Sequence, residues 1–96
     1  MLSGRVEQEL DLLLRHVIIL DRVQKDGPIG ILKLSEKTGI PEHRVRYSLR
    51  VLEQKGLIAP SSRGAVCTDA ASEFFKHFET DINNMVAKID KLKAWV

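Results

Sequence analysis

The sequence is poor in the features that mark secreted and membrane proteins. Cys67 is the only cysteine in 96 residues, which excludes an internal disulfide and suits a reducing cytoplasm. The densest apolar run, residues 17–20, is bounded by Arg15, His16 and Asp21, and so falls far short of the roughly 18 residues of a membrane span. The N-terminal residues MLSGRVEQEL lack the apolar core of a secretion signal. We therefore expect a cytoplasmic protein without a membrane partner.

The motifs of catalysis and of metal or cofactor binding are absent as well. The chain has no paired-carboxylate motif, no nucleophile beside a base and no glycine-rich phosphate loop. The histidines His16, His43 and His77 fall in three different predicted helices, without the spacing of metal ligands. We expect no enzyme activity, no metal site and no cofactor, and the sequence identifies no small-molecule effector.

What the chain does have is positive charge concentrated in one stretch. The net charge is only +2, which by itself does not indicate nucleic acid. Residues 1–40 are neutral and residues 69–96 carry −1, whereas residues 41–68 carry +3. The basic residues of this stretch are Arg44, Arg46, Arg50, Lys55 and Arg63, against Glu42 and Glu53. Such a cluster is typical of a phosphate-binding surface.

Two helices are predicted before this stretch. Apolar residues at spacings of three and four predict a helix over 5–25, and further leucines and isoleucines widen its apolar side, so that it packs on more than one partner. Gly27 is expected to end it as a left-handed cap, with Pro28 blocking continuation. A short helix is predicted over 31–38, closed by Gly39.

The basic stretch itself predicts a third helix and a small hairpin. Pro41 suits the first turn of a helix that runs to about Lys55, with Val45, Leu49 and Leu52 on its buried side. Strands are predicted over 57–59 and 65–68, joined by a loop over 60–64. Thr68 is a plausible N-cap for a last helix that extends to near the C-terminus.

The last predicted helix carries a heptad pattern. From Ala71 to Val96, apolar residues recur at alternating steps of four and three, as in a coiled-coil seam. Its distal part needs a surface to pack on, either the chain's own first helix or a second copy. We favour a homodimer, with the interface residues Phe78, Ile82, Met85, Ile89, Leu92 and Val96.

The exposed side of the third helix indicates a function. Its N-terminal half carries His43, Arg44, Arg46, Tyr47 and Arg50. An α-helix fits the major groove of DNA, where arginine can fork onto guanine O6 and N7, and the early residues of the helix reach deepest. We expect Arg44, Arg46 and Tyr47 near bases and Arg50 near the backbone, with His43 on a phosphate when it is protonated.

Phosphate contacts are also predicted outside this helix. Ser61, Ser62 and Arg63 occupy the loop of the hairpin, where hydroxyls and one guanidinium suit the DNA backbone or the minor groove. Lys33 of the second helix is expected to reach the backbone as well.

The segment from Gly27 to Thr68 resembles a winged helix-turn-helix domain of prokaryotic transcription regulators. The features that carry this resemblance are Leu34-Ser35-Glu36-Lys37-Thr38-Gly39-Ile40, followed by Val45, Leu49 and Leu52-Glu53-x2-Gly56-Leu57-Ile58. The flanking helices are similar to those of MarR-like and PadR-like regulators, in which terminal helices form the dimer.

The resemblance implies a mainly α fold with a small β-hairpin and N- and C-terminal dimerisation helices. It makes residues 41–55 the recognition helix and residues 60–64 the wing. The expected organisation is a single domain over 1–96, with its first helix at 5–25, the helix-turn-helix and wing at 28–68, and the dimerisation helix at 69–96. The expected function is sequence-specific binding of double-stranded DNA by a homodimeric transcriptional regulator.

This sequence departs from the family pattern in three places, and several alternatives stay open. The wing is short, Glu42 opens the recognition helix, and the paired cysteines of ArsR-type metal sensors are missing. Winged helices also serve as protein-interaction modules without DNA affinity. Cys67 is either a small buried residue or a redox-sensing thiol, and Phe74, Phe75 and Phe78 either pack in the core or line a ligand pocket.

Overall fold

The computed structural model describes residues 1–96 and consists of four helices and one β-hairpin. In chain order these are helices α1 (Gly4–Asp26), α2 (Ile31–Thr38) and α3 (Glu42–Gln54), strands β1 (Ile58–Ser61) and β2 (Gly64–Cys67), and helix α4 (Asp69–Lys93). The predicted fold class, mainly α with a small hairpin, is confirmed.

The core lies where the C-terminal half of α1 meets α2, α3 and the hairpin. Apolar side chains from the four helices, from β1 and from the segment before α2 converge there, and burying each valine, leucine or isoleucine contributes about 1.5–3 kcal/mol. They are Ile19, Leu20, Val23, Ile29, Leu34, Val45, Leu52, Ile58 and Ala71. The N-terminal half of α1 extends beyond this core, so Val6, Leu10 and Leu14 remain exposed.

The end of α1 differs from the prediction. Gly27 has φ −63° and ψ 149°, which is extended backbone, so the expected left-handed cap is wrong. Glycine is required here for another reason, because a Cβ on Gly27 would lie 2.5 Å from the carbonyl oxygen of Val23. The chain then leaves the helix in an extended conformation, and Ile29 forms a β-bridge with Ala65.

The turn between α2 and α3 is tight and internally bonded. Gly39 ends α2 in the left-handed region with φ 73°, as predicted for its C-cap. The hydroxyl of Ser35 donates to the carbonyl of Ile40 at 2.6 Å, and that of Thr38 donates to the carbonyl of Leu34 at 2.6 Å. The amide of Ile40 in turn donates to Thr38 Oγ1 at 3.2 Å. These bonds determine the direction in which α3 leaves the turn.

The hairpin has a longer first strand and a shorter loop than predicted, and its second strand starts and ends one residue earlier. Pro60 and Ser61 belong to β1, and only Ser62 and Arg63 connect the strands. Pro60 is tolerated because its partner in register, Ala65, directs its own N–H and C=O to Ile29. A ladder position that needs no N–H from Pro60 is one that proline accepts.

The N-terminal part of helix α4 packs against the core, and its C-terminal part extends beyond it. Thr68 stands at the N-cap position but makes no capping bond, since its hydroxyl donates to the carbonyl of Gly56 at 2.6 Å; the predicted capping role is wrong. Phe74 and Phe75 pack against the core, which favours the core interpretation of these rings. Towards the C-terminus exposure rises, and Leu92 is 67% exposed.

Candidate nucleic-acid interface

Helix α3 buries one face and exposes the opposite one. Val45, Ser48 and Leu52 are buried, and successive residues of a helix are rotated by about 100°. His43 and Arg50 therefore project directly away from the core, flanked by Arg46 and Tyr47. No hydrogen bond or ion pair within the protein occupies the side chains of His43, Arg44, Arg46, Arg50 or Arg63, and all of them are exposed.

Arg44 and Arg46 point to different sides of α3. Two residues of separation place them about 200° apart around the helix axis. Arg44 lines a shallow depression with Asp11 and Arg15 of α1 and with Ile40 of the turn. Arg46 lies on the stripe of α3 that contains Glu53, and Glu53 lines a groove with Ser61 and Gly64 of the hairpin. We call these two sides the α1 flank and the wing flank.

Tyr47 is turned towards α1. Its ring centroid lies 5.5 Å from Cζ of Arg15 and 6.1 Å from the ring of His16, and the residue is 47% exposed. A guanidinium over an aromatic face is a favourable cation–π arrangement. Tyr47 thus stands on the α1 flank, with one face covered and its edge open to solvent.

The hairpin presents Arg63 at its tip, as predicted. Ser61 is less available, because its hydroxyl donates to the carbonyl of Gly64 at 2.6 Å and accepts the amide of Arg63 at 3.3 Å. Ser62 makes no such bond and is exposed. The hydroxyl of Ser61 therefore stabilises the turn that carries Arg63.

Lys33 is not brought together with the basic residues of α3. It is exposed on the side of α2 that also carries Lys37, one turn later. The ammonium of Lys37 lies 3.0 Å from the carboxylate of Asp26 at the end of α1. Hydrogen bonds from Lys37 and then from Arg22 hold the pKa of Asp26 below its ordinary value.

Three residues that the sequence analysis did not assign form a polar cluster beneath α3. Ser48 is fully buried, and its hydroxyl lies 3.0 Å from Nε of Arg15 and 2.8 Å from Nδ1 of His16. Burial, and secondarily the charge of Arg15, lowers the pKa of His16. The signal in the sequence was a serine on the buried stripe, three residues after Val45 and four before Leu52.

The residues of the predicted dimer seam occupy two environments. Phe78 and Ile82 line an apolar groove with Leu10, Leu13, Leu14 and Val17 of α1. Ile89, Leu92 and Val96 are exposed, the last two strongly, while Met85 is half-buried between these groups. The proximal seam thus touches the chain's own first helix, and the distal seam has no partner within the chain.

The segment that contains this surface matches a known protein family. Residues 15–59 match the model of a family described as winged helix-turn-helix DNA-binding. The matched segment, just under half of the chain, resembles a winged helix-turn-helix domain. In this winged helix, α2 and α3 form the helix-turn-helix, and β1 and β2 form the wing. The predicted winged helix-turn-helix resemblance is confirmed, and the matching family is described as DNA-binding.

One solved structure extends the comparison beyond the matched segment. The activation domain of the phage T4 transcription factor MotA shares the fold with a TM-score of 0.62 and 23% sequence identity, covering 76% of this chain and 78% of that chain. At this identity the likeness shows the fold. No curated protein matches the sequence at a significant level.

No group of three or more histidine, cysteine or acidic side chains is close enough to hold a metal ion. None of the four helices combines the length and the apolar character required to cross a bilayer. Cys67 is half-buried beside the carbonyl of Leu20, at 3.8 Å, and burial raises the pKa of its thiol.

Proposed function

We propose that this protein is a transcriptional regulator that binds specific sequences of double-stranded DNA as a homodimer. The observation that carries the proposal is the outward face of α3. His43, Arg46 and Arg50 stand there exposed and unpaired, opposite the buried face of the recognition helix, in a domain of a DNA-binding family. Basic side chains without partners inside the protein keep their charge available for phosphates and base edges.

In the proposed complex α3 lies in the major groove, between the two phosphate backbones that border it. Arg46 and Tyr47, one on each side of the outward face, contact base edges, and Arg44 reaches towards the bases from the α1 flank. Arg50, Arg63 and Lys33 contact phosphates, together with protonated His43 and the wing hydroxyls of Ser61 and Ser62.

The proposed dimer uses the distal seam of α4 and the exposed side of α1. Ile89, Leu92 and Val96 continue the heptad pattern beyond the point at which α4 leaves the domain. Leu10, Leu14 and Ile18 form an exposed apolar stripe on α1, each 39% exposed or more. Apolar groups left in water at this density favour association. A two-fold dimer places two recognition helices about 34 Å apart, in successive major grooves.

Selection of bound duplexes from a random pool tests the proposal. We expect enrichment of a palindromic site whose halves are separated by about one helical turn. We also expect binding to unselected duplex DNA that weakens steeply with salt, because phosphate contacts release counterions. Absence of both binding modes at low salt would refute the proposal.

A second function is favoured by one specific observation. The MotA domain that shares this fold is an activation domain of a transcription factor, and the apolar groove between α1 and α4 is a surface of the kind that receives a partner helix. On this alternative the domain is a protein-interaction module in a larger complex, without DNA affinity of its own. The salt-dependent shift with unselected duplex separates the two functions, since only the first predicts it.

A further inference from the structure

We infer that Arg15 and His16 of α1 are positioning residues for the recognition helix. Through Ser48 and Tyr47 they set the rotation of α3 about its own axis, and hence which side chains face the bases. The inference rests on the proposed DNA binding, but the contact between α1 and α3 is testable without DNA. Arg15, His16, Tyr47 and Ser48 are called the α1–α3 clamp below.

The donors and acceptors available in the clamp assign a direction to each hydrogen bond. Nε–H of Arg15 donates to Ser48 Oγ at 3.0 Å, which leaves the hydroxyl hydrogen of Ser48 for Nδ1 of His16 at 2.8 Å. No other side-chain bond to Ser48 is present, and no buried side-chain polar atom lacks a partner. This pattern assigns His16 as a neutral imidazole whose Nδ1 accepts.

The clamp controls rotation because its two attachment points are adjacent on α3. Ser48 is held beneath the helix and Tyr47 is held on the α1 flank by the guanidinium of Arg15. A rotation of α3 breaks the bonds at Ser48 and separates Tyr47 from Arg15 at the same time. The apolar contacts of Val45 and Leu52 lack this directionality, since apolar burial depends on area rather than angle.

Protonation of His16 reverses its part of the clamp. An imidazolium carries N–H at both nitrogens, so Nδ1 no longer accepts from Ser48 and the hydroxyl hydrogen of Ser48 loses its partner in the clamp. The charged groups around His16 are Arg15 and Glu9 on α1 and Lys55 on α3, with Tyr47 as a further titratable neighbour. From α4 only Phe74 packs near it. Burial first, and then the charge of Arg15, oppose protonation and lower the pKa of His16.

Acidification therefore has opposite effects on the two kinds of DNA binding. Additional positive charge strengthens binding to unselected duplex, whereas loosening of α3 weakens discrimination of the selected site. The pKa of His16 is lowered from 6.5, so the clamp is intact at neutral pH and is lost as pH falls through the folded-state pKa, which lies below 6.5. The ratio of specific to non-specific affinity should fall over that range.

The pH dependence is tested by substituting single histidines. His16→Gln should remove most of the change in the specificity ratio between pH 8 and pH 5, and His77→Gln on exposed α4 is the matched control that leaves it in place. A ratio that titrates identically in wild type and His16→Gln would overturn the role of His16.

Salt dependence separates positioning from phosphate contact. Arg15→Gln should lower the specificity ratio about tenfold while the slope of affinity against salt stays unchanged, since the guanidinium acts through Ser48 and Tyr47. Arg5→Gln removes the same charge from an exposed residue near the start of α1, and it should leave the specificity ratio unchanged. A slope reduced by about one in Arg15→Gln would instead make Arg15 a phosphate contact and overturn its positioning role.

A measurement without DNA keeps the inference distinct from the proposed function. In an NMR titration the amides of Tyr47 and Ser48 should shift with the midpoint of the His16 ring. In Ser48→Ala, checked for native circular dichroism, the midpoint of His16 should change and the α3 amides should no longer follow it. If the amides of Tyr47 and Ser48 titrated independently of the His16 ring in the wild type, the clamp would be overturned, even if the protein binds DNA. Failure to bind any duplex while the coupled titration persists would refute the proposed function and leave the α1–α3 contact established.

Discussion

Arg46 and Arg63 carry the same charge, but Arg46 lies in a helix and Arg63 lies in the turn of the hairpin. Arg46 projects from the middle of a helix whose other face is packed, so its direction is restricted. Arg63 sits in an exposed two-residue turn that receives side-chain hydrogen bonds only from the hydroxyl of Ser61. A guanidinium on a rigid element suits bidentate contact with one base, whereas a guanidinium on an exposed turn suits a phosphate.

Substitution of Arg46 tests base contact. Arg46→Ala should weaken binding to the selected site by about 1–3 kcal/mol and relax specificity at one base position. Affinity is measured by fluorescence anisotropy with the selected duplex and its single-base variants. Arg5→Ala is the control for loss of one positive charge, and unchanged affinity in Arg46→Ala would contradict the assignment.

Substitution of Arg63 tests phosphate contact. Arg63→Ala should lower affinity for all duplexes alike and reduce the salt slope by about one, because one phosphate is no longer neutralised. The measurement is affinity at several salt concentrations, for selected and unselected duplexes. Loss of affinity at a single base position would show that Arg63 reads sequence instead.

The reactivity of Cys67 separates a buried residue from a redox sensor. Burial raises the pKa of its thiol and so reduces the thiolate fraction at neutral pH. We expect iodoacetamide to label Cys67 slowly in the folded protein and rapidly in urea, as followed by mass spectrometry. Labelling of the folded protein at the rate of free cysteine would favour the sensor.

At the scale of elements, the hairpin depends on contacts with a segment that precedes α2. Gly64 has φ 124°, and a Cβ there would lie 2.5 Å from the carbonyl oxygen of Ile29 and 2.8 Å from the amide nitrogen of Gly30. The wing thus packs its backbone directly on the backbone before the helix-turn-helix, and Ile29 and Ala65 exchange two hydrogen bonds. This close approach anchors the wing beside α3.

Gly64→Ala should destabilise the fold by about 1–3 kcal/mol, because both the backbone conformation and the contact with Ile29 exclude a side chain. Equilibrium unfolding in urea measures the change. Gly30→Ala is the matched control, since a Cβ at Gly30 meets nothing within 4 Å. Equal stability of Gly64→Ala and wild type would show that the wing can move away from Ile29.

The helices were predicted from the sequence more accurately than the connections. Their bounds follow from apolar periodicity and from Gly39, which are local properties of the chain. Gly27 and Thr68 were assigned wrongly because their roles depend on neighbours distant in sequence. Gly27 lies against the carbonyl of Ala65, and Thr68 bonds Gly56 instead of capping α4.

At the scale of the whole molecule, the shape leaves α4 without a partner over its distal half. The molecule extends over 51 × 27 × 21 Å, and the helical packing of the core stops near Phe75. Phe78 and Ile82 cover part of α1, but Ile89 and Leu92 do not. The homodimer stays a prediction that follows from this exposed seam.

Ile89→Asp tests the dimer. A charge on the seam should convert dimers into monomers, because a carboxylate buried without a partner is costly. Sedimentation equilibrium measures the mass. Ala87→Asp introduces the same charge on the opposite side of α4 and should leave the dimer intact. A dimeric Ile89→Asp would exclude the distal seam from the interface.

The sequence by itself determined the helices, the turn at Gly39, the buried stripe of α3 and the exposure of its basic residues, because each depends on local spacing and local charge. Only the tertiary structure decided that Arg44 and Arg46 stand on opposite flanks of the site, and that Arg15 and His16 hold Ser48 across 33 and 32 residues of chain. Contacts of this kind depend on how two helices cross, and no periodicity within either helix specifies that crossing.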